Sequence, residues 1–504
     1  MKQKLKISLS RHLLYQLMML SALTAMAQVD SIFNGLTYNV EASGNLSDGK
    51  FAPLWFSSGR FGLSSVEPNS GYVRAGIRRS ADCDSLHTWR FGYGLDVAVP
   101  VNFTSDFVLQ QLYGTVQYKF AQLTLGTKEI DQEMLNRELS SGAMSLSNNA
   151  RPIPQVRLEI PEFLPLHFTD DWVGIKGHIA YGWYTDNRWQ RNFTNKQSLF
   201  SQDSHFHSKA AFIRIGRDDL CPFSATFGLQ MSCQFGGTGY NIADRSDDCN
   251  MLTDVELGDG LKSYWYALIP GGHDVNDGNY GNVQGNQNGN WYFDMKFQGR
   301  GWSVRTYAEH FFEDHSQLFV QYAWKDMLWG VELKLPKNKY VSRFVAEYLN
   351  TRDQTGGLYH DRSDVVPLQI SGRDDYYNHH TFGAWQHWGQ AQGNPLLLSP
   401  IYNVANRQLY FYFNRVSAVH IGLNGEPTDE LHYRLLFSNL RTWGTYDQPT
   451  LSPIDQNYLL AELTYNPNKY KGWSATLGYG LNNGDLIGNS NGVSFTIRKT
   501  GILR

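Results

Sequence analysis

The stretch Phe223-Ser-Ala-Thr-Phe-Gly-Leu-Gln-Met-Ser-Cys-Gln-Phe235 decides the fold class, because apolar side chains alternate along it with polar or small ones. Successive side chains of a β-strand point to opposite faces, so the stretch predicts a strand with one apolar and one polar face. The pattern recurs about eighteen times, which is typical of outer-membrane β-barrels, where one face meets lipid and the other meets water. A large soluble β-sandwich or propeller is the alternative, since these folds alternate as well.

The alternation predicts eighteen antiparallel strands. Their approximate ranges are 34–44, 71–79, 88–99, 106–120, 121–128, 152–160, 172–184, 205–216, 223–235, 290–299, 301–312, 326–335, 341–351, 407–423, 431–441, 457–465, 472–481 and 491–499. Charged side chains fall on the polar faces, as at Arg74, Arg78, Lys176, His178, Asp294 and Lys296. A charge on the lipid face would cost roughly 2–4 kcal/mol at mid-membrane. This segregation favours the transmembrane barrel.

The lengths of the connectors predict which end of the barrel faces outward. Connectors after even-numbered strands are short, whereas most of those after odd-numbered strands are long, at 45–70, 129–151, 185–204, 236–289, 352–406 and 442–456. Outer-membrane barrels have short periplasmic turns and long external loops. We therefore expect both chain ends in the periplasm and the two longest connectors, 236–289 and 352–406, on the cell surface.

The start of the chain has the features of a secretory signal peptide. Basic residues at positions 2, 4, 6 and 11 precede an apolar run at 13–23 and a small-x-small cleavage site at 25–27. We predict a signal peptide at 1–27 and one barrel domain at 28–504, since no linker divides the remainder. The formal net charge of −3 argues against binding to nucleic acid.

No motif in the chain singles out a catalytic residue, a metal site or a cofactor site. The four cysteines, Cys83, Cys221, Cys233 and Cys249, allow disulfides in an exported protein, but unpaired thiols fit them equally well. The pairs His273-Asp274 and His379-His380 suggest a metal only weakly, because adjacent histidines seldom bind one ion. A Ser-centred elbow, a phosphate loop and a zinc signature are all missing from the sequence.

One connector has helical rather than strand periodicity. Residues 128–139 place Ile130, Met134 and Leu135 at helical spacing, and Ser140-Ser-Gly142 ends the pattern. The connector parity puts this predicted helix in an external loop or in a loop folded into the lumen. A plug inside the barrel and a helix on the surface both fit.

The connector 352–406 holds the mixture of side chains that binds sugars. Aromatic faces stack on the C–H patches of a sugar, while Asp, Asn, Arg and His bond its hydroxyl groups. We expect stacking from Tyr376, Tyr377, Trp385 and Trp388, and polar contacts from Arg373, Asp374, His387 and Asn394. The alternative is that these aromatic residues hold a folded loop together and that its Asp and Asn residues serve turns.

Three segments resemble the Wzi-like capsule assembly family, particularly its Bacteroides-type members. They are Leu54-Trp-Phe-Ser-Ser-Gly-Arg-Phe-Gly62, Ser141-Gly-Ala-Met-Ser-Leu-Ser-Asn-Asn-Ala-Arg-Pro-Ile-Pro-Gln-Val156 and Gly393-Asn-Pro-Leu-Leu-Leu-Ser-Pro-Ile-Tyr-Asn403. The resemblance implies an eighteen-stranded outer-membrane barrel that acts as a lectin for exported capsular polysaccharide and is not an enzyme. It also implies a lumen occluded by helices and folded loops, which suits a plug at 128–142.

The predicted protein is therefore an all-β outer-membrane barrel with a small helical or loop plug. We expect it to bind capsular polysaccharide and to help assemble or retain the capsule, with outer-membrane lipids, lipopolysaccharide and the outer-membrane insertion machinery as its other partners. A substrate-selective porin is the alternative, because any porin would show the same alternation. An outer-membrane hydrolase is a third class, although no sequence motif supports it.

Overall fold

Eighteen antiparallel strands form one closed sheet in the described part of this computed structural model, which comprises residues 32–243, 252–273, 283–313, 325–354, 358–360, 370–371 and 374–503. The strands are β1 (Thr37–Ser47), β2 (Asn69–Arg79), β3 (Trp89–Val101), β4 (Val108–Tyr118), β5 (Ala121–Thr127), β6 (Gln155–Pro165), β7 (Val173–Trp183), β8 (His205–Ile215), β9 (Phe223–Phe235), β10 (Asn286–Gln298), β11 (Ser303–Glu313), β12 (Met327–Lys334), β13 (Arg343–Asn350), β14 (Val416–Gly425), β15 (Leu431–Gly444), β16 (Pro449–Tyr465), β17 (Trp473–Gly484) and β18 (Ser490–Ile502). Each strand pairs with its neighbour in sequence, and β18 pairs with β1 from Thr37↔Ile502 to Ser47↔Gly492, which closes the barrel.

The closed barrel confirms the predicted fold class. We call the end with both chain termini the inner end and the opposite end, which carries the long connectors, the outer end. The predicted signal peptide at 1–27, Arg373 and Cys249 lie outside the described residues. Cys83 and Cys221 are free thiols, and Cys233 is buried in the wall. No helix in the described ranges is long and apolar enough to span a membrane.

The two faces of β9 separate as the alternation predicts. Phe223 and Phe227 point outward and are 61% and 43% exposed, whereas Ser224, Thr226 and Gln230 point into the lumen and are buried. The same division holds around the wall and leaves a band of exposed Val, Leu, Ile, Phe and Trp side chains. This band is the lipid-facing surface that an outer-membrane barrel requires.

The long connectors of the outer end contain short helices and strands. Three helices occur in the described ranges, α1 (Leu54–Ser57), α2 (Trp189–Phe193) and α3 (Leu261–Leu268). Three short strands, Phe200–Gln202, Thr238–Ala243 and Leu252–Glu256, form a separate small sheet. Helix α3 packs against the outward face of the barrel wall. There Tyr181 donates a hydrogen bond to the carbonyl oxygen of Tyr264, and Lys209 donates one to that of Ala267. A polar part of the outer wall is thereby covered.

The predicted helix at 128–139 is wrong, because these residues form turns and irregular backbone. Met134 has a positive φ of 63°, which a helix does not allow. Glu133 pairs instead with Arg157, Lys176 and His178 on the inner wall. These ion pairs with the wall hold the segment in an irregular conformation. The apolar spacing that predicted a helix does not determine its backbone.

Two predicted boundaries near β14–β16 are also wrong. Residues 407–415 do not belong to β14, although Leu409, Phe411 and Phe413 alternate with polar neighbours as a strand would. The predicted loop 442–456 lies largely within β15 and β16, and only 445–448 connects the two strands. Pro449 and Pro453 made this part of the strand look like a loop in the sequence, since proline is rare within sheets.

Loops folded into the lumen fill the barrel and confirm that it contains a plug. We call residues 48–68, 128–154 and 374–415 together the plug. Side chains from all three segments form one buried cluster with inward-facing wall residues, including Trp55, Met144, Trp385, Phe206 and Tyr458. Gly480 and Gly492 make room for α1, since a Cβ on either glycine would lie within 3.0 Å of Phe56.

Candidate functional site

Five of the eight predicted sugar-binding residues lie inside the plug. The exposed fractions are 0% for Tyr376, Tyr377, Trp385 and Asn394, and 1% for His387. Their faces are turned to other protein groups, so they have no surface to offer a polymer outside the cell. Their burial agrees with the alternative, in which these residues hold a folded loop together.

The polar atoms of these buried residues bond to the second segment of the plug. The indole nitrogen of Trp385 donates to the carbonyl oxygen of Ser145 at 2.9 Å, and the hydroxyl of Tyr377 donates to that of Met144. The amide of Asn394 donates to the carbonyl oxygen of Gly142 at 2.6 Å. A buried polar group costs free energy unless it is hydrogen-bonded, so these bonds allow the plug to bury such residues.

His387 and Trp388 lie beside the same segment. The Nδ1 atom of His387 is 2.9 Å from the carbonyl oxygen of Arg151, and its Nε2 atom is 3.0 Å from that of Thr185. Burial lowers the pKa of His387, so the neutral ring is favoured. Trp388 is partly exposed, and its ring lies 4.2 Å from the guanidinium carbon of Arg151.

The three segments that carry the family resemblance contact one another in the plug. The backbone N–H of Gly62 donates to the carbonyl oxygen of Asn149 at 2.8 Å. The hydroxyl of Ser147 donates to the carbonyl oxygen of Gly393 at 2.7 Å. Gly62 has a φ of 65°, and a Cβ there would meet Arg151 at 2.4 Å. These motifs therefore have a structural role in packing the plug.

Two carboxylates of the inner wall hold the plug in place. Glu347 on β13 accepts hydrogen bonds from the hydroxyl of Ser140 at 2.6 Å and the backbone N–H of Ser141 at 2.7 Å. Glu309 on β11 accepts one from the backbone N–H of Met144 at 2.9 Å. These bonds satisfy donors of the plug that are buried from water. The plug is thus attached to the wall as well as packed against it.

A cleft at the outer end is the candidate binding site, and we call it the outer cleft. Its cavity volume is about 530 Å³, within the range of ligand-binding pockets. Loop residues line most of it, including Ser198, Asp374, Asp375, Asn378, His379, His380, Gln408, Tyr410 and Asp447. Of the seven predicted residues that the structure describes, Asp374 alone lines this cleft.

The outer cleft is acidic. Glu313, Asp374, Asp375 and Asp447 line it, and none of the described lining residues is Lys or Arg. Burial raises the pKa of Asp375, while hydrogen bonds from Tyr410, Asn378 and Asn414 oppose that rise. The hydroxyl of Tyr410 donates to the Asp375 carboxylate at 2.6 Å. Such carboxylates can accept hydrogen bonds from the hydroxyl groups of a ligand.

Two tyrosines add aromatic surface at the cleft. The ring centroids of Tyr410 and Tyr412 are 4.9 Å apart, and both side chains are partly exposed. Sequence reasoning misses them because the alternation predicts one membrane-spanning strand over residues 407–423, whereas the strand begins at Val416. The usable signal was the run Leu409-Tyr-Phe-Tyr-Phe413, whose phenylalanines face the plug and whose tyrosines face outward.

The cleft does not present a metal centre among the described residues, where no group of three or more His, Cys, Asp or Glu could hold an ion. The rings of His379 and His380 stack with their centroids 4.5 Å apart rather than converging on one point. The chemistry that remains is hydrogen bonding by carboxylates and amides combined with stacking on aromatic rings, which is the chemistry of carbohydrate recognition.

Comparison with known proteins gives one family and several solved structures with a similar fold. The family model of the capsule assembly protein Wzi matches residues 66–487. The fold resembles Wzi of Escherichia coli, a carbohydrate-binding outer-membrane β-barrel involved in group 1 capsule assembly, with a TM-score of 0.56 and 15% identity over 91% of this chain and 83% of that one. OccK5 (OpdH) of Pseudomonas aeruginosa gives a TM-score of 0.45 and 9% identity over 92% and 97% of the two chains. No curated protein sequence matches the chain.

Proposed function

This chain belongs to the family of the capsule assembly protein Wzi, and from that membership we propose that it binds capsular polysaccharide at the outer cleft and helps to assemble or retain the capsule on the cell surface. It is an outer-membrane β-barrel of eighteen strands. The ligand of the outer cleft is a short stretch of the polymer, and the polymer makes many weak contacts along its repeats. Multivalency then gives retention without tight binding at any one site.

The observation that carries this proposal is the composition of the outer cleft. Tyr410 in the lining and Tyr412 beside it supply rings for stacking, and Asp374, Asp375 and Asp447 supply acceptors for sugar hydroxyls. The described lining residues carry several carboxylates and no Lys or Arg, and like charges repel, so a uronic acid is disfavoured beside them. The stretch of polymer bound in the outer cleft is therefore neutral or carries amino groups.

The test compares cell-bound with released capsule. Deletion of the protein is expected to release capsule without lowering its synthesis. The double substitution Tyr410→Ala with Tyr412→Ala should reproduce this release in a barrel that inserts normally. Tyr470→Ala is the matched control, because Tyr470 is 58% exposed on a turn at the inner end. Unchanged attachment in the double variant would contradict the site, and loss of synthesis on deletion would contradict the function.

The residues predicted from sequence have two different proposed roles. Asp374 contacts sugar in the outer cleft, and the partly exposed Trp388 extends the contact. Arg373, which lies outside the described residues, is proposed to add a polar contact from its place in the sequence next to Asp374. Tyr376, Tyr377, Trp385, His387 and Asn394 position the cleft from below through the plug. Asp374→Asn is expected to weaken polysaccharide binding without lowering the stability of the barrel, which separates the first role from the second.

The porin and hydrolase alternatives give opposite results in simple assays. A lectin with a filled lumen is expected to be silent in planar bilayers and to leave polysaccharide and lipid substrates intact. Steady conductance with solute flux would favour the porin. Product release that is abolished by one carboxylate or His substitution would favour the hydrolase.

The remaining proposed partners concern the membrane. The exposed apolar band, represented by Phe227, Trp329 and Phe495, fits outer-membrane lipids and the acyl chains of lipopolysaccharide. Assembly of this barrel then requires the outer-membrane insertion machinery. Depletion of that machinery should leave the chain unfolded, which a heat-modifiability gel would detect.

A further inference from the structure

A second polar cavity lies inside the barrel, on the other side of the plug. We call it the inner pocket. Its wall consists of inward-facing residues of β1, β2 and β15–β18, and its roof consists of Phe56, Arg60 and Leu63 from the plug. The cavity volume is about 270 Å³. Neither the family resemblance nor the outer cleft accounts for it.

The inner pocket opens toward the inner end of the barrel. Arg498 and His432 line it near the inner ends of β18 and β15, and their side chains are 50% and 30% exposed. On the opposite side Phe56 and Leu63 are only 3% and 4% exposed. A ligand can thus enter from the periplasm, while these buried plug residues bound the pocket on the side of the cell surface.

The strand register arranges hydroxyl groups in a row along the wall of the pocket. Ser43 pairs with Thr496, Thr496 with Thr476, and Thr476 with Thr464 on successive strands. The hydroxyls of Ser43 and Thr496 are 2.7 Å apart, and those of Thr464 and Thr476 are 2.9 Å apart. Each hydroxyl has both a donor and two acceptor positions, so a paired row still offers hydrogen bonds to a ligand.

The charged groups of the pocket balance one another and are held by mutual bonds. Its lining contains three carboxylates, Glu41, Glu138 and Glu462, and three guanidinium groups, Arg60, Arg434 and Arg498. Glu462 accepts from Arg60 at 2.6 Å and from Arg434 at 2.7 Å. Glu41 accepts from Tyr72 at 2.6 Å and from Arg498. A balanced lining of this kind selects no strongly charged ligand and suits a neutral, hydroxyl-rich one.

Aromatic surface completes the pocket. Phe56, Tyr72 and Phe103 line it, and the rings of Tyr72 and Phe103 are 6.1 Å apart. Between Ser494 and Glu462 the wall carries Gly478, where a Cβ would meet the hydroxyl oxygen of Ser494 at 2.3 Å. Because glycine has no side chain, the space beside the hydroxyl row stays open to a ligand. Apolar rings next to hydroxyls and satisfied charges are the combination that holds a sugar ring.

We propose that the inner pocket binds the terminal one or two sugars of a neutral glycan presented from the periplasm. The hydroxyl row contacts the sugar hydroxyls, and Phe56, Tyr72 and Phe103 contact its apolar face. The barrel then has two carbohydrate sites of different character, one for polymer on the cell surface and one for a glycan end inside. This second site does not depend on the outer cleft.

The test uses the full protein in detergent micelles, in a Tyr410→Ala, Tyr412→Ala background that disables the outer cleft. The probes are oligosaccharides of glucose, galactose or mannose with two to four sugars, and a glucuronate disaccharide serves as the anionic counterpart. We expect calorimetry to detect the neutral probes with higher affinity than the anionic one. Hydrogen exchange should slow in β17 and β18 when a neutral probe binds.

Thr476→Val with Thr496→Val keeps the side-chain shapes and removes two hydroxyls, so affinity should fall roughly tenfold. Thr115→Val with Thr124→Val is the matched control, because these hydroxyls form the same kind of pair, 3.1 Å apart, elsewhere on the inner wall. Thr476→Trp, which fills the cavity, should abolish binding. The proposal is overturned if no neutral probe binds, if the Val pair binds as tightly as its control, or if the anionic probe binds best.

Discussion

The outer cleft and the inner pocket are both polar cavities of one barrel, but different parts of the chain build them. Loop residues and an excess of carboxylates form the outer cleft. Paired strand residues with balanced charges form most of the inner pocket. The plug lies between them and contributes lining residues to both, while its buried interior contains the residue types that sequence reasoning assigned to sugar binding. Composition alone therefore does not distinguish a sugar site from a well-bonded interior.

The largest expected effect comes from removing the partition between the two cavities. Trp385 has no exposed surface, stacks against Phe206 at 6.4 Å and bonds to Ser145. Trp385→Ala should lower the free energy of unfolding by about 3–5 kcal/mol, as expected for a large buried aromatic. The loosened plug should also conduct ions in planar bilayers.

Trp388→Ala is the control for this prediction, because Trp388 is partly exposed and mainly contacts Arg151. It should cost about 0.5–2 kcal/mol and leave the lumen closed. Heat-modifiability gels and bilayer recordings on both variants give the comparison. If Trp385→Ala were as stable and as silent as Trp388→Ala, the plug would not be what separates the cavities.

A smaller effect is expected from the attachment of the plug to the wall. Glu347→Gln keeps the shape of the side chain but removes the charge that accepts hydrogen bonds from Ser140 and Ser141, so it should cost about 1–3 kcal/mol. Hydrogen exchange in residues 139–146 should become faster. Glu256→Gln, at an exposed position of the outer sheet, should change neither quantity. Equal exchange in the two variants would contradict the attachment.

The contrast in charge predicts a difference in salt dependence between the two cavities. Asp374→Asn with Asp447→Asn should weaken binding of an amino-sugar polymer to the outer cleft about two- to fivefold at low salt, and the loss should shrink as salt rises. Binding of neutral oligosaccharides to the inner pocket should not depend on salt. Titrations at two salt concentrations separate these outcomes, and a salt-independent loss in the outer cleft would show that its charge does not matter.

The barrel could be predicted because alternation directly determines which face of a strand meets lipid, as at Phe223–Phe235. The hydroxyl row of the inner pocket depends on which residues pair across neighbouring strands. That pairing register cannot be read from a single sequence. Tyr410 and Tyr412 were hidden because a loop that packs one face against a plug alternates like a strand. Trp385, His387 and Asn394 misled for a physical reason, since bonds to backbone carbonyl oxygens satisfy them as well as a sugar would.

The smallest expected effect concerns Asp375, which tests whether the outer cleft is tuned by burial. Burial raises the pKa of Asp375 above its ordinary value of 3.8, so the folded state binds the proton more tightly than the unfolded state. The stability contributed by this group is therefore greatest below pH 3.8 and is lost as pH rises through the raised pKa. The protection factors of residues 408–414, which correct hydrogen exchange for its intrinsic pH dependence, should fall over that interval, and Asp375→Asn should remove this component.

Tyr410→Phe sharpens the test, because the Tyr410 hydroxyl donates to the carboxylate and opposes the effect of burial. Without that donor the pKa of Asp375 should rise further, and the pH-dependent step should move to higher pH. If the protection factors instead rose with pH in the wild-type protein, the hydrogen bonds from Tyr410, Asn378 and Asn414 would outweigh burial. The outer cleft would then hold its carboxylate as the inner pocket holds Glu462, by bonded partners, and the difference in construction between the two cavities would be one of net charge alone.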